Sequence, residues 1–329
     1  MVGWSGAGDV EDLERSVARK LASHGREAGR IVDVILVNAD DPVSVAWKLS
    51  LLPGVSWIAV GYRFSRNEGY LENLGLLAKK YMSKGKTFSI SAKVVGSRQT
   101  AGDAVLAGNS ALLSSMTGLR VDERRPQVRF RVCAEGARGA CGAELRAGPG
   151  GVPTSGDWVA CLVSGGERSS SMAWMAALSG FSVRLVHSRT DDLALRQVAR
   201  LYSELSHRMD PRCVELVVLQ GGKGVFARIG GWLDEHKETA FAGSRPNRSG
   251  LAGELARRFP NLALPLILVQ EEAIGSTFRS LGLGRAHKPA GVTGLSLKAL
   301  QDRGAYSEVR FGGVEADPNA VIDAVKRRG

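Results

Sequence analysis

One segment constrains this chain more than any other: Trp158 to Val163, reading WVACLV, runs without a charged residue straight into Ser164-Gly165-Gly166 and then a helix-forming stretch. A continuous apolar run of this length is the pattern of a strand covered on both faces, whereas a half-exposed strand alternates. Such strands belong to sheets flanked by helices, and a glycine turn at the strand's end makes the strand–turn–helix step of a βα unit. Phe181 to His187, Val214 to Leu219 and Leu264 to Val269 repeat the apolar pattern, with helices expected at Asp191 to Ser206, Phe226 to His236 and Leu251 to Phe259. The second half is therefore predicted to be an α/β doubly wound parallel sheet. Backbone N–H groups of a glycine turn at a helix N-terminus, flanked by the Ser164 and Ser169 hydroxyls, suit an anion. A tight turn needs the same glycines, so the local sequence leaves phosphate binding and plain turn-making evenly matched; neither GxxxxGK[ST] nor GxGxxG is present.

The first half has a different rhythm. A charged helix is expected over Glu11 to Ala28, a strand over Ile31 to Val37, a helix over Val43 to Leu51 stopped by Pro53-Gly54, and a strand over Val55 to Phe64. That is a small α+β unit. A helix from Tyr70 to Met82, a strand from Thr87 to Val95, a helix from Asp103 to Met116 and a strand from Gln127 to Cys133 follow. Ala137 to Ser155 holds Gly139, Gly142, Gly148, Gly150, Gly151 and Pro153, and is taken as the boundary between the halves. With 329 residues, two or three compact units are expected. The tail from Leu295 should end in a helix over Pro318 to Lys326, whose role the sequence leaves open.

Lys and Arg number 44 against 33 Asp and Glu, a formal charge of +11, and such a field favours polyanionic partners. The basic residues gather at Lys79 to Lys93 and at Arg120 to Arg131, which suits an RNA surface better than a membrane face. No amphipathic basic helix or 20-residue apolar run marks a membrane protein, and no signal core opens the chain, so a cytoplasmic location is expected. Cys133, Cys141, Cys161 and Cys213 form no CxxC pair, and the five histidines show no ligand spacing, so no metal site is expected from them. Cys161, inside an apolar strand, reads as a small core residue, while the role of Cys213 stays open.

The order and spacing of these elements resemble the tRNA 4-thiouridine synthetase family, over most of the chain. Leu52-Pro53-Gly54-Val55 is similar to that family's junction between a ferredoxin-like unit and a THUMP RNA-binding unit, and Lys84-Gly85-Lys86-Thr87-Phe88 is similar to its GKTF strand entry. Gln99 to Met116 and Val128 to Val132 fall at the THUMP helix and following strand. Ser164, Gly165, Gly166 and Ser169 match the PP-motif SGGxDS of the family's PP-loop ATP pyrophosphatase domain, an adenine nucleotide alpha hydrolase-like fold that holds ATP phosphates during adenylation of a tRNA uridine. The resemblance implies a ferredoxin-like domain over 1–60, a THUMP domain over 61–152 and a PP-loop-type domain over 153–329, so that the N-terminal half is α+β. It implies ATP and Mg²⁺ as cofactors, a homodimer, and tRNA as partner, with Lys86, Lys93, Arg98, Arg120, Arg124 and Arg125 as RNA-contact candidates. Ser164, Gly165, Gly166, Arg168, Ser169 and Gly243 are the nucleotide-contact candidates, and no catalytic residue is named.

The chain departs from the family where chemistry is concentrated. Arg168 stands where the motif has Asp; a guanidinium grips phosphate but cannot hold Mg²⁺. Phe241-Ala242-Gly243-Ser244 stands where active relatives carry an acidic residue after the glycine, and Arg245 to Leu255 replaces the signature that should follow. Leu264-Pro265-Leu266 and the stretch from Glu271 to Gly282 still resemble the later strand and helix. A rhodanese segment to carry a persulfide is not expected. The expectation is a tRNA-binding relative with impaired or lost adenylation. The alternatives are an active thiolation enzyme drawing on an external sulfur donor, and a non-catalytic partner presenting tRNA to another modifying enzyme.

Overall fold

The computed structural model describes residues 1–21, 28–31, 33–65, 70–81, 86–95, 109–136, 138–221, 224–243, 258–266, 269–283, 306–313 and 317–328. They form two compact units, Met1–Pro153 and Thr154–Gly329. Among the described residues no helix is long and apolar enough to cross a membrane.

In the first unit, β1 (Val2–Trp4), α1 (Val10–Leu21), β2 (Ala28–Ile31), β3 (Val34–Val37), α2 (Pro42–Leu49) and β4 (Val55–Ser65) come first. Then follow α3 (Tyr70–Tyr81), β5 (Thr87–Val95), a helix α4 over 109–117, β6 (Arg120–Val121), β7 (Val128–Glu135) and β8 (Arg138–Ala147). All eight strands join one sheet in the order β2-β3-β1-β4-β8-β7-β5-β6, parallel at β5–β6 and β5–β7 and antiparallel elsewhere. One face packs on the helices through two apolar clusters, one around Leu13, Val17, Leu49 and Ile58, the other around Leu74, Phe88, Leu113 and Phe130. Phe88 and Phe130 meet edge to face at 5.9 Å.

One expectation fails here and another holds only in part. The single strand over Ile31 to Val37 is a hairpin, with Ile31 opposite Val34 and Asp33 in the turn. Ile31 and Val34 to Val37 are apolar on either side of the turn, so the run from Ile31 to Val37 carries little signal of its own reversal, and the helix expected to reach Ala28 ends at Leu21 in the described residues. The Gly-rich stretch read as a boundary does hold the division of the two units, after Pro153, but over half of it is the ten-residue strand β8. Its glycines serve close packing: a Cβ on Gly139 would stand 2.3 Å from the Phe64 ring, and one on Gly142 would stand 3.0 Å from the Val60 carbonyl oxygen. Glycine inside a strand marks such close approach as readily as it marks a loop.

The second unit contains β9 (Trp158–Leu162), α5 (Glu167–Leu178), β10 (Ser182–Ser188), α6 (Asp192–Arg208), β11 (Val214–Gln220), α7 (Val225–Glu235), β12 (Ala240–Ala242), β13 (Leu262–Ala263), α8 (Glu271–Ser280), β14 (Ser307–Gly312) and α9 (Pro318–Arg328). The sheet order is β13-β12-β9-β10-β11-β14, parallel throughout except for β14, which runs antiparallel on β11. Successive side chains alternate between two cores. Val159 and Cys161 face a cluster with α5, α6, α8 and α9 residues, while Ala160 faces a cluster with Trp232 and Leu233 of α7. Helices thus cover both faces, as the apolar strands demand.

Leu264 to Val269, expected to be a strand, is not one: β13 stops at Ala263 and a turn occupies Pro265 and Leu266. Proline lacks the N–H a ladder needs. The unexpected β14 closes the far edge. The segments 251–257, 267–268 and 284–305 lie outside the described residues, and with them most of the helix expected at Leu251 to Phe259.

Candidate functional site

In an open α/β sheet, ligands bind outside the carboxyl ends of the strands where the strand order reverses. Here β9 lies centrally, with β10 and β11 added on one side and β12 and β13 on the other, so the reversal falls between β9 and β12. The turn Ser164 to Ser169 follows β9, and Gly243 follows β12. The fold brings these two together: a Cβ on Gly243 would stand 3.0 Å from the Ser169 backbone nitrogen. Glycine at 243 therefore lets the β12 strand end lie against the first turn of α5.

The turn is internally braced. Gly165 takes a positive φ of 78° and abuts the Ala194 carbonyl and Gln197 of α6, a backbone state that disfavours any side chain. The Ser169 hydroxyl accepts from the Ser164 N–H at 3.2 Å and donates to the Gly166 carbonyl at 3.0 Å. Ser170 donates to the same carbonyl. Gly166 is the N-cap of α5 and provides no side-chain acceptor, so the first-turn amides keep the positive end of the helix dipole uncapped by any side chain. Ser164 is exposed at its mouth.

Arg168 departs from the simplest expectation. Its side chain is buried and turns toward α8, donating from Nη1 to Glu271 Oε1 at 2.6 Å and from Nη2 to the Leu266 carbonyl at 2.6 Å. Ser171 donates to the Ile274 carbonyl, a second tie between α5 and α8. Glu271 and Leu266 gave no sign in the sequence of being Arg168 partners, since each lies about a hundred residues away.

The adjoining strand ends are fixed by groups that sequence patterns did not reveal. His187, at the end of β10, donates from Nδ1 to the Val163 carbonyl at 2.8 Å. Burial pushes its pKa down to about 4, so the ring is neutral at physiological pH. Arg228 of α7 brackets the loops after β10 and β11, donating to Ser188 Oγ, the Arg189 carbonyl and the Gly221 carbonyl at 2.8, 2.8 and 2.5 Å. Asp191 caps α6 through the Ala194 N–H at 2.7 Å.

The turn's hydroxyls hold its Ser164 and Gly166 N–H groups, and the backbone amides that begin α5 are the groups that could donate to an anion. The same residues do not fit Mg²⁺, which demands about six oxygen ligands in near-octahedral array. The motif carboxylate is a guanidinium, Glu271 is committed to that guanidinium, and among the described residues no three His, Cys, Asp or Glu side chains converge to hold a metal. No persulfide-carrying thiol stands out either. All four cysteines are buried and none forms a disulfide; burial raises the Cys133 thiol to about 11, Cys141 to about 12 and Cys161 further still. Cys213, left open by the sequence, packs in the main core of its unit.

In the first unit, four of the six basic candidates gather at one edge of the sheet. The Arg120 N–H donates to the Lys86 carbonyl at 3.1 Å where β6 pairs with the start of β5. Arg124 and Arg125 sit exposed in the following turn, their N–H groups held by Asp122 Oδ1 at 3.1 and 2.9 Å. Lys93 is six residues farther along β5, roughly 20 Å at the usual strand rise, and pairs with Asp33 at 2.6 Å. Arg98 lies outside the described residues. An exposed aromatic that charge counting overlooks is Trp47 of α2, 57% accessible, with the Arg146 guanidinium 4.4 Å above its ring. A cleft of about 860 Å³ nearby is lined by α2 and β4 residues, with Tyr62, Arg63 and Lys80 among them.

No family model matches the chain, and no curated protein matches it either. Solved structures do match in fold. PH1313 from Pyrococcus horikoshii Ot3 superposes with a TM-score of 0.67 at 19% identity, over 85% of this chain and 98% of that one. A 4-thiouridine synthetase solved as an RNA complex with bound ATP superposes with a TM-score of 0.65 at 18% identity, over 86% of this chain and 84% of that one. At such identities the likeness is one of fold.

Proposed function

We propose that this chain binds tRNA through its first unit and a nucleotide at the Ser164 to Ser169 turn of its second, with adenylation of the RNA impaired or lost. The observation that carries the reading is the glycine turn at the strand-order reversal, with Gly243 set against it, in a chain whose fold follows a thiouridine synthetase through both units. The first unit is assigned as a ferredoxin-like segment over 1–60 and a THUMP segment over 61–152, and residues 153–329 as a PP-loop-type domain. The RNA complex and bound ATP of the neighbour support tRNA and ATP as the ligands to test. Lys86, Arg120, Arg124 and Arg125 form the RNA edge, with Trp47 and Arg146 as a stacking platform for an unpaired base. The turn amides, with Ser164 at the mouth, take the phosphates.

Loss of chemistry follows from charge. Adenylation places negative charge on phosphate oxygens, and a group aimed at that charge in the transition state is what accelerates the step. Arg168 spends its guanidinium on Glu271 and Leu266 instead. The test is AMP and pyrophosphate release from ATP and Mg²⁺, with and without a tRNA transcript, beside salt-titrated tRNA binding. Salt-sensitive binding without AMP is the expected result. tRNA-dependent AMP would make the protein a working adenylating enzyme and overturn the loss of chemistry.

A further inference from the structure

The face of the first sheet turned away from its helices holds a polar cavity. Ile58 of β4, Ile90 and Ala92 of β5, and Phe130 and Val132 of β7 pack toward the helices, so the residues alternating with them, Trp57, Ser91, Lys93, Arg131 and Cys133, point to the opposite face. That face is concave. β3 and β5 are separated in the sheet by β1, β4, β8 and β7, yet Asp33, in the turn between β2 and β3, brings Oδ2 to 2.6 Å from Lys93 Nζ on β5. A cavity of about 220 Å³ in this curl is lined by Asp33, Lys93, Trp57, Ser91, Arg131 and Cys133. A water occupies roughly 30 Å³, so the space suits a small ring better than one solvent molecule.

Its walls are set without a ligand. Trp57 lies against Gly3, where a Cβ would stand 2.1 Å from the ring, and the Arg131 guanidinium sits 4.7 Å from the ring centre on β4. Arg131 is held in turn by Glu144 Oε2 at 2.8 Å and by Ser91 Oγ at 3.0 Å, and its five N–H groups outnumber these contacts. Asp33 has the complementary need: Oδ2 takes the Lys93 ammonium, while Oδ1 is buried with no hydrogen-bond partner among the described residues. A buried acceptor is costly to leave empty, so the cavity calls for an N–H donor at Asp33 and an acceptor toward Arg131. A flat ring with an amino group beside a ring nitrogen supplies both.

We propose that this cavity holds one amino-substituted nucleobase, its exocyclic amine donating to Asp33 Oδ1 and its ring nitrogen accepting from Arg131. The choice of a nucleobase over other rings of that shape rests on the reading of the first unit as RNA-binding. The base belongs either to the bound RNA or to a free nucleoside, and the experiment separates the two.

The full chain is titrated calorimetrically with cytidine and with zebularine, which is cytidine without its amine; adenosine is avoided because it would also report on the second unit. The same proteins are then tested for binding of a tRNA transcript by filter binding. Saturable cytidine binding, millimolar or tighter and at least tenfold stronger than zebularine, is expected. Asp33→Ala and Lys93→Ala both break the bridge, but only the first removes the acceptor. Asp33→Ala should therefore weaken cytidine at least tenfold, while Lys93→Ala stays within threefold. Equal losses in both variants would assign the effect to the bridge and overturn the inference, as would equal binding of the two nucleosides. Transcript affinity lost in Asp33→Ala and kept in Lys93→Ala makes the base the RNA's own, with or without measurable cytidine binding. Cytidine binding with the transcript held alike by all three proteins makes the site one for a free nucleoside. No cytidine binding, with the transcript held alike by all three, overturns the inference and leaves the RNA reading standing; binding of neither overturns both.

Discussion

His187 shows how one buried side chain gives the molecule a measurable pH dependence. Its ordinary pKa is about 6.5, and in the folded chain it is held near 4, chiefly by burial; nearby Arg228 and Arg189 push the same way, while the Val163 bond and Asp191 push back. Above about pH 6.5 the ring is neutral whether folded or not and stability does not depend on it. As pH falls below that, the unfolded chain gains a proton that the folded chain refuses, so stability declines until the folded pKa is reached. The expected loss between pH 7.5 and 5 is about 2 kcal/mol, read from urea midpoints. His187→Gln, which keeps a donor for Val163 and does not titrate, should remove most of that slope even if it lowers stability at both pH values. A slope that survives the substitution would assign the pH dependence to other groups. The site itself was half legible at this scale. The candidate turn residues Ser164, Gly165 and Gly166 were legible locally, because a turn's chemistry is local, whereas Gly243 was named only through the family resemblance. The path of the Arg168 guanidinium was not, because it is decided by Glu271, 103 residues away.

At the scale of elements, the long apolar strands β9, β10 and β11 were legible, because burial on both faces leaves a contiguous mark. Elements whose residues serve packing were not. The boundary stretch does hold the division after Pro153, but β8 within it went unread because the glycines that let it press against β4 also resemble turn residues, and the apolar Leu264 to Val269 was read as a strand although Pro265 interrupts it. The basic turn between β6 and β7 is legible in composition, but its grouping with Lys86 required the parallel β5–β6 pairing. That grouping makes a prediction. Each phosphate contact removed lowers the magnitude of the salt slope, d log K/d log[salt], by about 0.7 to 0.9. Replacing both Arg124 and Arg125 with Ala should therefore reduce the slope for a tRNA transcript by about 1.5, while Lys93→Ala, whose ammonium is paired with Asp33, should change it less. Filter binding at four salt concentrations separates the two. Equal slopes for all three proteins would move the RNA contact away from this edge.

At the scale of the molecule, charge and chemistry are divided between two units with separate sheets and cores. Among the described residues the sheet of the first takes no strand from the second, since β1 to β8 pair only among themselves, and the two apolar clusters beneath it draw only on residues before Pro153. A sheet and core of this kind satisfy the conditions for folding alone. The first unit also holds the basic edge and the Trp47–Arg146 stack, while the glycine turn with Arg168 belongs to the second. If the two ligands follow that division, residues 1–153 produced alone should give a cooperative melt and bind a tRNA transcript with a salt slope close to the full chain's. Residues 154–329 should bind the transcript at least tenfold more weakly and retain ATP binding. The informative comparison is at moderate salt, where nonspecific attraction from a +11 chain is screened. Loss of RNA binding by a well-folded 1–153 would mean that RNA recognition requires the second unit, and the altered turn would then have to be read as part of the RNA surface rather than as a site for a separate nucleotide.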